Sequence, residues 1–211
     1  MLKVEDIHVA YGRINAVQGL TLEVRAGELV GLVGSNGAGK SVLLRTLSGG
    51  VIPDAGTVTI QGHDAVRARR ASAATVGVMF GPRQGWYGRL SGAANLEFFA
   101  AVRGLDPRAA AVETLRCLDE VGLAAVAGRR VDTYSTGMTA RLALARARLG
   151  DPSVLLLDEP SATLDAEAVA ELHEHLLHVD RHRAVLLATH DEREIGLTDR
   201  TVRLEHGRVA S

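Results

Sequence analysis

The chain has 211 residues, 46% of them hydrophobic, enough for one globular domain, or one domain plus a subdomain, around an ample core. A net charge of −1 provides no basic footprint for nucleic acid, and the cluster Arg67, Arg69, Arg70 reads as a solvated helix face. Apolar runs of about five residues fall far short of the ~20 that cross a bilayer, and the acidic opening MLKVEDIHVAYG is not expected to be a signal peptide.

In chain order, Leu2 to Val9 and Leu20 to Val24 read as short strands. Leu29 to Val33 reads as a buried strand and runs directly into Gly34, Ser35, Asn36, Gly37, Ala38, Gly39, Lys40 and Ser41. That octet matches G-x-x-x-x-G-K-[ST], the phosphate-binding loop. Behind it, Ser41 to Leu47 has the apolar spacing of a helix, ending near Gly49 and Gly50. A strand, a glycine-rich loop and a helix start gather backbone N–H groups around one point, at the positive end of a helix dipole, where phosphate oxygens bind. Gly37 and Gly39 are read as glycines because a Cβ there would occupy the ligand's space. Of 24 basic residues only Lys3 and Lys40 are lysines. A compact ammonium fits between β- and γ-phosphate oxygens where a planar guanidinium needs a wider slot.

Gly56 to Ile60 alternates as a strand that closes at Gly62, and Val76 to Phe80 is another. From about Gly92 to Gly150 the pattern is helical. Leu96, Phe99, Ala100 and Val102 mark one stretch; Val112, Leu115, Leu118 and Val121 mark a second after Pro107; Leu142 to Leu149, after Gly137, is the third. Strands resume at Val154 to Leu157 and at Ala184 to Ala188, with a helix from Ala166 to about Arg181 between them. A His206-Gly207 turn fits a small terminal hairpin. Alternating β and α segments with continuous apolar strands predict an α/β fold with a parallel sheet and an inserted helical block. Cys117 has no partner for an internal disulfide and reads as a small core or surface residue in a reducing compartment.

The strand Val154 to Leu157 delivers Asp158 and Glu159 at its C-terminal end, where ligands of open α/β sheets bind. Asp158 can hold Mg²⁺ through water with the Ser41 hydroxyl as a direct ligand, and Glu159 is then placed to polarise water attacking a γ-phosphate. An apolar strand ending in two acids is common on its own; its pairing with the Lys40 loop favours the functional reading. His190 ends the next apolar strand, and spacing alone leaves it equally a solvated or structural histidine and a functional one. His173, His175, His178 and His182 crowd one helix and are read as its solvated face, not as a metal site.

These elements, with Tyr134-Ser135-Thr136-Gly137-Met138 between them, resemble the nucleotide-binding domain of an ATP-binding cassette (ABC) transporter over nearly the whole chain. YSTGM resembles the family signature, usually LSGGQ, in a variant found among exporters of polysaccharides, lipids and other hydrophobic compounds. Thr136 and Met138 depart from the usual glycine and glutamine. Leu155 to Asp165 resembles the nucleotide–Mg²⁺ strand and the loop that follows it, LLATHDE the switch-histidine segment, and Tyr11 the aromatic that stacks on adenine. The resemblance implies a single domain over 1–211: a P-loop NTPase core with a mainly parallel sheet, a small antiparallel β subdomain, and a helical subdomain inserted at approximately 82–151.

The resemblance further implies an ATPase with ATP and Mg²⁺ as cofactors, peripheral on the cytoplasmic face of the membrane. Two such subunits, identical or not, would pair head to tail, each ATP lying between one copy's Lys40 loop and the other's Ser135 to Met138, and would drive permease subunits on separate chains. Where the family places a glutamine after the Val76 strand, this chain has Gly81; Gln84, three residues later, either fills that role or leaves it empty. Trp86 and Tyr87 are either coupling-surface residues or packing of the helical subdomain. A soluble ABC ATPase of DNA maintenance is the alternative class, but no heptads separate Ser41 from Ser135. A cassette that transmits force without moving a substrate is not separable from a transporter by sequence.

Overall fold

Val154 and Leu156 point to one face of their strand and Leu155 and Leu157 to the other; all four are fully buried, and the two pairs belong to different cores. Both faces of that strand are therefore covered, which is why it is apolar throughout instead of alternating. The computed structural model describes residues 1–65, 74–81, 85–162, 164–179 and 182–210, without the side chains of 177–179. In chain order these form β1 (Leu2–Tyr11), β2 (Ile14–Val24), β3 (Leu29–Val33), α1 (Lys40–Leu47), β4 (Ala55–Ile60), β5 (His63–Asp64) and β6 (Val76–Phe80). Then follow α2 (Gly92–Val102), α3 (Pro107–Glu120), α4 (Thr136–Arg148), β7 (Val154–Asp158), α5 (Ala166–Val179), β8 (Ala184–Thr189), α6 (Glu192–Ile195), β9 (Arg200–Glu205) and β10 (Arg208–Val209).

The strands make two sheets. One is six-stranded in the order β10-β9-β3-β8-β7-β6, parallel except for β10, which returns antiparallel on β9. The other is four-stranded and antiparallel, in the order β2-β1-β4-β5. One core joins the antiparallel sheet and α1 to the side of the large sheet bearing Leu32, Leu156 and Leu186; the other seats α2 to α5 on the side bearing Leu155, Leu157 and Leu187. Burying each such leucine contributes about 1.5–3 kcal/mol.

Glycine sets one close approach between layers. A Cβ on Gly77 of β6 would lie 1.9 Å from the Ala147 carbonyl oxygen, so α4 rests on bare backbone there. Helix starts follow side-chain caps: Ser91 accepts from Ala94 N, Asp106 from Arg108 N and Ala109 N, and Ser135 from Met138 N.

Two boundaries differ most from the sequence reading, and two short elements are additional. β2 begins at Ile14, six residues before Leu20, because the strand continues through a register irregularity with Gly19 at φ +67°. α4 begins at Thr136 and not near Leu142, since the Ser135 cap starts it in a polar turn without apolar periodicity. The short strand β5 and helix α6 were not anticipated. Cys117 resolves as a core residue, its thiol pushed up to about 12 by burial.

Candidate functional site

The loop from Gly34 to Gly39 joins β3 to α1 and forms the floor of an open cleft of about 710 Å³. Its shape depends on glycine in two ways. Gly37 has φ +83° with open space where a Cβ would go, consistent with backbone kept free for a ligand. Gly39 has φ +106°, and its Cβ would lie 2.4 Å from the Ala16 carbonyl oxygen of β2. The reading of Gly39 as ligand clearance is therefore corrected: protein backbone occupies that space. Gly34 is similarly closed off, with its Cβ position 2.3 Å from the Leu204 carbonyl oxygen of β9.

The terminal hairpin braces the same loop. Gly207 N donates to Ala38 O at 3.0 Å, and Gln18 N donates to Gly207 O at 2.7 Å. Gly39 caps α1 without a side-chain hydrogen bond, so no side chain competes for the first N–H groups of that helix. Lys40 is 6% exposed, and its ammonium donates to Gly34 O at 2.6 Å and Ser35 O at 3.2 Å. A buried cation held only by loop carbonyls is preorganised for an incoming anion.

β7 brings Asp158 beside α1, with its carboxyl next to the Ser41 hydroxyl. Burial, then the neighbouring Glu159 charge, raise the Asp158 carboxyl above the ordinary aspartate range against the pull of Ser41, Arg45 and Lys40. Glu159 follows in a left-handed conformation, φ +48°, uncommon for a non-glycine residue, and its N–H donates to Ala188 O of β8 at 2.9 Å. This turn aims its carboxylate into the cleft and toward His190: Glu159 Oε1 and His190 Nδ1 lie 2.9 Å apart.

Tyr11, exposed at the β1–β2 turn, lines the cleft with Ile14, Asn15 and Ala16, opposite Ser35, Asn36, Gly37, Ala38, Gly39, Lys40 and Ser41. Sequence reasoning missed Ile14, Asn15, Ala16, Gln18, His206 and Gly207 as cleft residues; their only signal was the His206-Gly207 turn. Asp165 caps α5, accepting from Ala168 N at 2.9 Å. Ser135 to Met138 do not line this cleft. Ser135 is exposed at the start of α4, Gly137 packs so closely on α5 that its Cβ would lie 2.8 Å from Ala168 Cβ, and Met138 leans on the core under the helices.

Gly81 adopts φ +68°, a conformation that favours glycine over glutamine. Gln84 and the cluster Arg67, Arg69, Arg70 lie outside the described residues. Trp86 meets the packing reading, and Tyr87 is the more exposed of the two. Trp86 packs edge-on against Phe99 at 5.8 Å under the Arg146 guanidinium, 4.5 Å from the ring centre, whereas Tyr87 is 51% exposed and pairs with the exposed Phe98.

The histidine helix is corrected. His182 is exposed, beside Asp151 at 3.3 Å, but lies beyond the end of α5 at Val179. The His173 side chain is 12% exposed, 3.8 Å from Glu194 of α6. His175 lies against Gly122, and burial, then Arg141 and Arg148, hold its ring below the usual histidine range. The side chain of His178 is not described. α5 is packed on more than one side, so its polar residues cannot all reach water. Among the described residues no group of three or more His, Cys, Asp or Glu side chains could hold a metal ion.

The ABC transporter family profile matches residues 17–162. The ABC transporter ATP-binding protein NatA of Bacillus subtilis is 31% identical over 93% of this chain and 80% of its own length. A sulfate/thiosulfate import ATP-binding protein CysA of Gloeobacter violaceus is 35% identical over 98% of this chain, which spans only 60% of that relative. The dimeric structure of a bacterial ABC transporter cassette superposes with a TM-score of 0.87 over the whole chain and 97% of that cassette, at 23% identity.

Proposed function

The chain belongs to the ABC transporter family, whose ATP-binding cassettes hydrolyse ATP, and on that footing we propose that it is the ATPase subunit of a membrane exporter. The observation that carries the catalytic assignment is the Glu159–His190 contact at the mouth of the cleft floored by the Lys40 loop. Loop N–H groups and Lys40 bind the β- and γ-phosphates, and Tyr11 stacks on the base. Glu159 accepts the proton of the attacking water, and His190 fixes the Glu159 carboxylate while facing the transferred phosphate. Asp165 steadies the loop between Glu159 and α5.

Asp158 and Ser41 fit Mg²⁺: both are hard oxygen donors, and β7 sets the Asp158 carboxyl beside Ser41 at the start of α1. Bound there, Mg²⁺ would neutralise phosphate charge.

One copy supplies only half of each site. Ser135, Thr136, Gly137 and Met138 are proposed to meet the nucleotide held by a second copy or a related subunit, in a head-to-tail dimer. The whole of 1–211 acts as one ABC domain, its helical subdomain at approximately 82–151, peripheral on the cytoplasmic face of the membrane. Two features support permease docking on the helical side: exposed Tyr87, Phe98 and Val102, and an adjoining groove of about 570 Å³ between α1, β6 and the end of α2. The export direction rests on the YSTGM variant. ATP turnover by the purified chain, abolished by Glu159→Gln with ATP binding retained, is the test.

A further inference from the structure

Glu194 is the most completely buried carboxylate among the described residues, and nothing assigned so far uses it. Its side chain is 1% exposed on the short helix α6, four residues after His190. An ionised carboxylate is placed there at a cost unless donors converge on it. Three do, from three different elements: the His173 ring on α5, the Ser161 hydroxyl two residues after Glu159, and the Thr189 hydroxyl just before His190. Burial opposes ionisation, yet these donors, His173 foremost, outweigh it and hold the carboxyl below the ordinary glutamate range.

The geometry adds two details. Thr189 Oγ1 already accepts from Asp191 N at 3.0 Å, which leaves its hydrogen available to the carboxylate. His173 Nε2 lies 3.8 Å from Glu194 Oε1, and neither carboxylate oxygen reaches full hydrogen-bond geometry with any neighbour. The pocket is convergent but not shut, with about an ångström of travel left to hydrogen-bond distance.

We propose that Glu194 is a positioning residue of the hydrolysis site, holding the Ser161 turn that follows Glu159 and the Thr189 strand end that precedes His190 in one arrangement, with His173 as its buried counter-group. It touches no nucleotide; it acts by fixing the relative placement of the two groups that do. The proposal rests on the ATPase reading of Glu159 and His190.

The test uses the full chain with ATP as substrate, reading kcat and KM, ATP affinity and thermal unfolding on the same samples. Glu194→Leu keeps side-chain volume and removes both acceptors; its kcat should fall roughly tenfold to a hundredfold with ATP affinity within about twofold of wild type. Glu194→Gln can still bridge the two hydroxyls and should recover most of that loss. A folded Glu194→Leu chain with wild-type kcat, or a Gln variant as impaired as Leu, overturns the proposal. If the Leu variant does not fold, Thr189→Val and Ser161→Ala each delete one hydroxyl and should show the same fall in kcat at constant affinity; wild-type kcat in both overturns it. Absence of turnover in the wild-type chain itself removes the ATPase reading and this inference with it, a result distinct from wild-type turnover that Glu194→Leu shares.

Discussion

Glu159 and His190 end adjacent parallel strands, and their side chains meet at 2.9 Å because the Glu159 backbone turns left-handed while its N–H is anchored on Ala188 O. A conformation that strains a non-glycine residue is kept where it aims a carboxylate at one point.

Glu159→Gln should therefore retain ATP binding and lose turnover by 10²-fold or more, the scale of a missing general base. The amide still bonds His190 but no longer accepts the water's proton, so an ATP-bound dimer should accumulate. Near wild-type steady-state hydrolysis removes Glu159 from the catalytic role.

Lys40→Ala should act earlier, on binding. Its ammonium is held by Gly34 O and Ser35 O and has only to exchange those carbonyls for phosphate oxygens. Loss of that charge should weaken ATP affinity by about 2 kcal/mol or more. Lys40→Arg should be impaired as well, since its fork does not fit a slot closed by the loop. Calorimetry showing unchanged affinity in the Ala variant contradicts the assignment.

Hydrolysis per chain should rise steeply with protein concentration, because Ser135 to Met138 lie outside the cleft that holds Lys40. Ser135→Arg should be inactive alone, and so should Lys40→Ala. Mixed, they should recover activity at the one composite site with an intact loop and an intact Ser135 segment. Arginine also removes the cap on Met138 N, worth ~1 kcal/mol, so unfolding must be measured alongside. Concentration-independent turnover by a chain shown to be monomeric would leave a generic P-loop ATPase.

Gly77→Ala should destabilise the fold by about 3 kcal/mol or more, at or beyond the upper end of ordinary overpacking, because its methyl would be driven into the Ala147 carbonyl. Gly128→Ala, with nothing within 4 Å, should change stability by less than about 0.5 kcal/mol. Urea denaturation of the two variants separates close packing from loss of glycine in general.

Asp191 caps α6 and pairs with Arg193, which, with burial working against it, hold its carboxyl down to about 2. A depressed carboxyl contributes stability that is complete above its ordinary value of 3.8 and disappears as pH falls toward about 2. Asp191→Asn should flatten that acid limb of the stability curve and leave the neutral plateau sloped as in wild type. An unchanged limb in the variant places the acid sensitivity on other carboxylates.

Much of the site is legible in the sequence because it is written in contiguous pieces: strand, loop and helix around Lys40, and strand ends at Asp158 and His190. What was missed depends on pairings between distant segments. His206 and Gly207 reach the cleft only because β9 lies beside β3, and Ile14 to Ala16 only because the β1–β2 turn folds over the loop. Gly39 has the right identity for a reason no local pattern contains, the carbonyl of Ala16. The histidines of α5 were misjudged because a count of polar residues does not reveal that α6 and the end of α3 cover two of its sides. The early start of α4 did have a signal, Ser135 and Gly137, which read as opening that helix although apolar periodicity marks it only from Leu142.

The position of β3 in its sheet has a consequence for synthesis. Its two hydrogen-bonded neighbours, β8 and β9, are drawn from residues 184–205, although β3 itself ends at Val33. The strand that leads into the phosphate loop thus leaves the ribosome well before either of the strands that wall it. An emerging chain therefore holds β3 as an unpaired apolar strand until β8 and β9 have been made. Such a strand is a sticky edge until the final hairpin arrives. Cellular yield should therefore respond to the pace of translation and to holding chaperones more than the stability of the finished fold would suggest.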